Sequence, residues 1–315
     1  MDWKVLIAGA IGLVGTAIIV PLLIPFLRRL KFGQSILEDG PSWHSQKQGT
    51  PTMGGIGMIV PVALAGVFCA GSLKGLAVAA GAVLFGLIGF VDDYIKVVKK
   101  HNQGFTPGQK FLCQAVVSLA FALFLYFREG QSETLIPFAG ISLNLGLLYI
   151  PFAMLVLLAT TNSVNLTDGL DGLAASVTVI AAAFFSVACA IRGDLDCSAI
   201  MFAVVGACLG FLLYNFYPAR IFMGDTGSLF LGGALGCAAA ASGLELFLII
   251  GGFVFLFETL SVIIQVTVFK KTGKRVFKMT PIHHHFEMCG FKEPKIVFLF
   301  SAVTLLLCTA AYLGL

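Results

Sequence analysis

Residues 147–190 read LLYIPFAMLVLLATTNSVNLTDGLDGLAASVTVIAAAFFSVACA, and this stretch decides the fold. Its two apolar runs each approach the roughly 20 residues that a helix needs to cross a bilayer. Between them, residues 160–171 gather two acids, two amides and several hydroxyls. Polar groups without partners are costly in hydrocarbon. The runs are therefore read as two successive spans, and the polar knot as the loop joining them at the membrane surface.

The rest of the 315-residue chain repeats this pattern. It is 58% hydrophobic and 11% charged, against about 25% charged residues in soluble domains. Apolar runs predict spans at about 5–27, 52–70, 75–91, 111–127, 145–160, 170–191, 198–216, 228–241, 244–269 and 296–315. The spans are helical, because an open sheet edge cannot face lipid; the mild alternation of the outer loop 128–144 allows a small hairpin. Of 20 Lys and Arg, 16 fall in the loops of one side, leaving Lys4, Lys74, Arg128 and Arg192 for the other. The basic side is expected in the cytoplasm and both termini outside. That asymmetry accounts for the net charge of +4 without a nucleic-acid partner. The reading is an all-α integral membrane protein of about ten transmembrane helices, one polytopic domain over residues 1–315. Its eight cysteines, with no Cys-x-x-Cys, read as small packing residues.

Three acidic clusters lie at the cytoplasmic ends of different spans. Asp92 and Asp93 close span three, Asp168 and Asp171 open span six, and Asp225 precedes span eight. Acids at a helix start cap free N–H groups and suit the dipole, and for Asp168, Asp171 and Asp225 taken singly capping stands at least level with catalysis. At a helix C-terminus the dipole is already negative, so Asp92 and Asp93 need a cation: Lys96, in reach at i+4 and i+3, is one candidate, a metal ion or a proton-transfer role is another, and for this pair function is favoured over structure. Asp168 and Asp171, three apart, are expected on one face of a new helix turn. Gly169 and Gly172 leave backbone accessible beside them. Single lysines such as Lys47 and Lys110 follow from the positive-inside rule. Acids that can hold Mg²⁺, lysines and Gly-rich turns on one membrane face together point to phosphoryl transfer on a lipid-borne substrate. His283, His284 and His285 are consecutive and cannot all face one metal; Glu287 is a candidate to orient one of them. His44 and His101 are single loop residues. Glu258, inside span nine, is read as a helix-packing partner, and Gly251-Gly252 as a place where that span bends to admit a lipid tail.

The blocks EDGPSWHSQKQGTPTMGG, FVDDYIKVVKK, TNSVNLTDGLDGLA, NFYPARIFMGDTGSL and PIHHHFE resemble the phospho-N-acetylmuramoyl-pentapeptide transferases, also called translocase I. These belong to the polyprenyl-phosphate hexosamine-1-phosphate transferases. Leu37 departs from the pattern, where many relatives carry Arg. The resemblance implies transfer of phospho-N-acetylmuramoyl-pentapeptide from its UDP carrier to undecaprenyl phosphate. The products are lipid I and UMP, made in the bacterial inner membrane for peptidoglycan synthesis, with Mg²⁺ as cofactor and a homodimer as the expected assembly. It implies that Asp225 ligates Mg²⁺, and that Asp92 activates the lipid phosphate with Asp93 and Lys110 beside it. A rival scheme has an Asp carboxylate attack first. Lys47, Lys96 and Lys110 would meet phosphates. Asn165, Asp168, Gly169, Leu170, Asp171, Asn215 and Phe222 would form the nucleoside pocket, with Asn162 also touching substrate. Thr52, Gln265, His283, His284 and His285 would line the sugar-peptide end.

Other classes fit less well. A secondary transporter places its acids near the bilayer midplane on symmetric halves. A prenyltransferase using diphosphates wants Asp-Asp-x-x-Asp repeats, whereas Asp92-Asp93 runs on into Tyr94, Ile95 and Lys96. The nearest alternative is a related transferase using UDP-N-acetylglucosamine.

Overall fold

The computed structural model describes residues 2–29, 47, 49–99 and 104–315; Leu37, His44 and His101 lie outside them. All ten expected spans are helical. They are α1 (Trp3–Arg29), α2 (Ile56–Cys69), α3 (Leu73–Lys99), α4 (Pro107–Arg128), α5 (Tyr149–Thr167), α6 (Leu173–Ile191), α7 (Leu195–Asn215), α8 (Gly224–Ala241), α10 (Phe253–Thr272) and α12 (Glu293–Tyr312). The single turn α9 (Leu248–Gly251) and the short α11 (Ile282–Met288) complete the set. Eight of these helices are long and apolar enough to cross a membrane. Of the other two expected spans, α2 has only 14 residues.

The other, α8, is rich in Gly and Ala for a packing reason. Every residue from Thr226 to Ala241 is buried, so α8 has no lipid face and sits at the centre of the bundle. Small residues let neighbouring backbones approach closely, as at membrane helix interfaces generally. Gly232 lies against Thr160 and Thr161 of α5, and Gly233 against Phe85 of α3. On α3, Gly89 packs against the Asp225 carbonyl, where a Cβ would overlap it. A second small-residue seam joins α1 to α7 through Gly9, Gly12, Ala203 and Gly206.

One boundary differs from the sequence reading, and two local features follow it. Span five continues to Thr167, because its polar side chains bond back along the helix instead of breaking it. Thr161 Oγ1 donates to Leu157 O, Asn162 Nδ2 to Leu158 O and Thr167 Oγ1 to Ser163 O, the i−4 back-bonding open to Ser and Thr. Span nine breaks at the expected Gly251-Gly252 pair, with Gly252 separating α9 from α10. Residues 128–144 form the allowed hairpin, β1 (Glu133–Ile136) antiparallel to β2 (Ile141–Asn144), with Glu133 opposite Asn144.

The α3–α8 contact yields a test. Gly89→Ala forces a methyl group into backbone and should destabilise the protein by about 1–3 kcal/mol. A lower thermal midpoint of the detergent-purified variant checks this; an unchanged midpoint would mean that α3 and α8 can part at Gly89 without cost.

Candidate active site

The last turns of α3 and the first turn of α8 meet beside Gly89, and this crossing builds the site. Asp93 is buried and faces the start of α8. Its Oδ1 accepts from the Asp225 N–H at 3.2 Å, and its Oδ2 from the N–H and hydroxyl of Thr226 at 2.9 and 2.7 Å. These N–H groups have no partner within their own helix, so a carboxylate from α3 caps α8. Gly224, at φ +69°, leaves the space that Asp93 and Thr52 Oγ1 occupy. Asp93 thereby orients Asp225, one residue into α8.

Asp92 points the other way. Its Oδ1 accepts from the Phe105 N–H at 2.6 Å. Its Oδ2 and Asp225 Oδ2 share the Lys96 ammonium, at 2.9 and 2.6 Å. Lys110, on α4, lies 3.0 Å from Asp225 Oδ2 and 3.7 Å from Asp92 Oδ2. Asn165, on α5, donates to Asp225 Oδ1 at 2.8 Å and to Ser228 Oγ at 2.7 Å. Asn162, one turn earlier, exchanges amide bonds with Gln114 of α4. These side chains line a cavity of about 980 Å³ whose apolar walls include Phe105, Phe111 and Leu166. Like charges as close as Asp92 and Asp225 need counter-charge, and the two lysines supply it.

The turn after α5 forms a second wall. Asp168 ends α5 and α6 begins only at Leu173, so Asp168 and Asp171 do not share one face of a helix turn. Gly172, at φ +76°, makes the reversal, and its N–H is held by the Asn215 side chain, which also donates to Ile221 O. Asp171 Oδ2 accepts from the Ala219 N–H and Oδ1 from Lys47 at 2.7 Å. Burial pushes the Asp168 carboxyl well above the usual carboxylate range; Asp225, Asp93 and Asp171 add to this and Lys47 opposes it. Burial pulls the Lys47 ammonium down, but its bonds to Asp171 and Glu293 more than offset this and raise it. Leu170 is buried. Phe222 pairs through its backbone with Pro51 and Gly54 and keeps its ring half-buried.

The histidines lie on α11 and separate. His283 is buried, with Nδ1 3.0 Å from Glu258 Oε1. Its Nε2 has no hydrogen-bond partner among the described residues and faces Gly169, whose missing side chain makes the room. Glu258 thus packs α10 against α11 through one histidine. His284 Nδ1 meets Glu287, and His285 Nδ1 accepts from the Lys278 N–H. Gln265 binds the backbone of Val276 and Phe277 through both ends of its amide.

Comparison with known proteins shows the family. The model of glycosyl transferase family 4 covers residues 75–243, more than half of the chain and all of the Asp92–Asp225 cluster. A phospho-N-acetylmuramoyl-pentapeptide-transferase of Acetivibrio thermocellus is 50% identical over 302 residues, which is 95% of this chain and 91% of the relative. The protein of that name in Clostridium botulinum (strain Alaska E43 / Type E3) is 47% identical over 99% of this chain and 96% of its own length. The one in Desulforamulus reducens is 48% identical, covering 97% and 96%. The chain belongs to the phospho-N-acetylmuramoyl-pentapeptide transferase family. It is a multi-pass bacterial membrane protein.

Several residues at this candidate site were not singled out by sequence reasoning. Gln114 is a polar residue on the apolar α4, and Thr226 and Ser228 lie in the first turns of α8. Glu293 lies in the first turn of α12, where an acid also suits the dipole. Only the tertiary contacts give them partners.

Two outcomes test this geometry. Asp93→Ala removes the cap of α8 and should cost about 1–2 kcal/mol, read as a lower thermal midpoint together with lost turnover. Asp168 titrates above its unfolded value, so the folded chain holds the extra proton and stability falls as pH rises from about 4 through the folded value. Asp168→Asn should flatten that fall in the ligand-free protein; an unchanged pH slope of the midpoint would clear Asp168 of it.

Proposed function

We propose that this chain transfers phospho-N-acetylmuramoyl-pentapeptide from UDP-N-acetylmuramoyl-pentapeptide to undecaprenyl phosphate, releasing UMP and forming lipid I. One observation carries the reading: Asp92 and Asp225, from two helices, turn onto the same two lysines at an amphiphilic cavity. Relatives of about half-identical sequence bear the name of this transferase over nearly their whole length. The site lies on the cytoplasmic face of the inner membrane, where the water-soluble UDP substrate and the lipid phosphate can meet; the lysine asymmetry supports that orientation.

The chemistry exchanges one phosphoanhydride for another, so it needs no ATP. An oxygen of the lipid phosphate attacks the β-phosphorus. The bond from that phosphorus to the bridging oxygen breaks, and UMP leaves with the electron pair. Asp92 takes the proton of the lipid phosphate where one is present. Lys96 and Lys110 offset the charge of the two anions brought together, the main demand in phosphoryl transfer. The turn from Asp168 to Gly172, with Asn215 and Phe222, holds the nucleoside. Thr52 and the face carrying Gln265 and His283–His285 lie toward the sugar-peptide.

The residues also fit Mg²⁺. Among the described residues no group of three His, Cys, Asp or Glu could hold a metal. Mg²⁺ commonly binds one or two carboxylates together with substrate phosphates and water. Asp225 and Asp92 already surround one cation, the Lys96 ammonium, and are the oxygen donors that would hold it. Bound there, Mg²⁺ would supply Lewis-acid stabilisation of phosphate oxygens.

Purified protein given Mg²⁺, undecaprenyl phosphate and UDP-N-acetylmuramoyl-pentapeptide should release UMP, and UDP-N-acetylglucosamine should not replace that donor. Absence of UMP would overturn the reading. Asp225→Asn should lower turnover on the order of 10³-fold while the protein still inserts and purifies. Full turnover of this variant at saturating Mg²⁺ would remove Asp225 from the metal role.

A further inference from the structure

We propose that Glu293 is a positioning residue for nucleotide binding, acting through Lys47. The inference rests on the transferase reading above. Lys47 Nζ lies 2.7 Å from Asp171 Oδ1 and 2.7 Å from Glu293 Oε2. The same Glu293 oxygen accepts from the Asp171 N–H at 3.2 Å. One carboxylate oxygen from the first turn of α12 therefore ties Lys47 to the backbone of the turn after α5. Both acids are buried, with side chains 3% and 9% exposed.

Geometry sets the direction of the effect. Asp171 alone could hold the lysine in many orientations, because an ammonium is a compact charge on a flexible stem. Two carboxylates from separate elements fix its place. The Asp171 N–H would otherwise lack an acceptor in a buried setting, which is costly. Removing Glu293 thus loosens the lysine and the turn together, on the wall that receives the nucleotide. The reacting groups Asp92, Lys96, Lys110 and Asp225 make no contact with Glu293 in the bonds described above. The effect belongs in nucleotide affinity, and the chemical step at saturation is spared.

An acid at the start of a helix also favours the dipole, so the test must separate the two roles. Glu293→Asp keeps an acid at the helix start but is one methylene too short to keep both contacts. Calorimetry of the purified full chain with UDP-N-acetylmuramoyl-pentapeptide reads affinity without turnover. Glu293→Asp should raise Kd by about tenfold, lower the thermal midpoint modestly because one of two buried contacts is lost, and leave kcat within about threefold at saturating donor. Glu293→Gln, which keeps the reach and loses the charge, should recover part of that affinity. In a Lys47→Met background, Glu293→Asp should change Kd by less than about twofold, because its partner is gone. An unchanged Kd in the single variant would overturn the proposal. So would the full tenfold loss in the Lys47→Met background, since Glu293 would then act without Lys47. A wild-type protein that binds no UDP substrate and releases no UMP would instead sink the transferase reading itself.

Discussion

The site depends on one crossing, where α3 touches α8 at Gly89 and a carboxylate from one helix caps the other. Asp93 satisfies the first N–H groups of α8, and its neighbour Asp92 is thereby left facing Asp225. Two carboxylates brought this close would repel. Lys96 and Lys110 sit between them, one from α3 and one from α4, and make the arrangement tolerable. Adjacent aspartates thus have different partners: one anchors a helix, the other lines the cavity.

A small-residue core makes this crossing possible. A transmembrane helix with ordinary side chains could not bring α3 and α5 so near to α8. Glycines on its two flanks admit Phe85 on one side and Thr160 and Thr161 on the other. That places Asn165 against Asp225 and carries α5 on to the turn at Asp168. The turn then meets Lys47, Asn215 and Glu293, so that turn and the charged cavity share α5 as their common support. The match to glycosyl transferase family 4 ends at residue 243. The charged cavity falls inside it, while Lys47, the histidines and Glu293 fall outside.

Much of this was legible from residue order. Long apolar runs located the helices because lipid leaves the backbone few alternatives. Asp92, Asp168, Asp171 and Asp225 stood out because acids are rare in such a chain. The polar end of α5 was misjudged, since Ser, Thr and Asn often mark a loop; here their side chains bond to the preceding turn and the helix continues. Glu258 was read as a packing partner, and its contact proves to be His283 on α11. Glu293 could not be singled out, because its position alone is explained by the helix dipole.

By itself the sequence determined that the chain is a helical membrane protein, which acidic clusters form its candidate site and which family it resembles. Composition and spacing suffice for that, because hydrophobic thickness and backbone hydrogen bonding act locally along the chain. Only the tertiary structure decided that Asp93 caps α8 while Asp92 meets the lysines, that His283 rests on Glu258, and that Glu293 holds Lys47. In two of these cases the partners are more than a hundred residues apart, and close helix approach settles them.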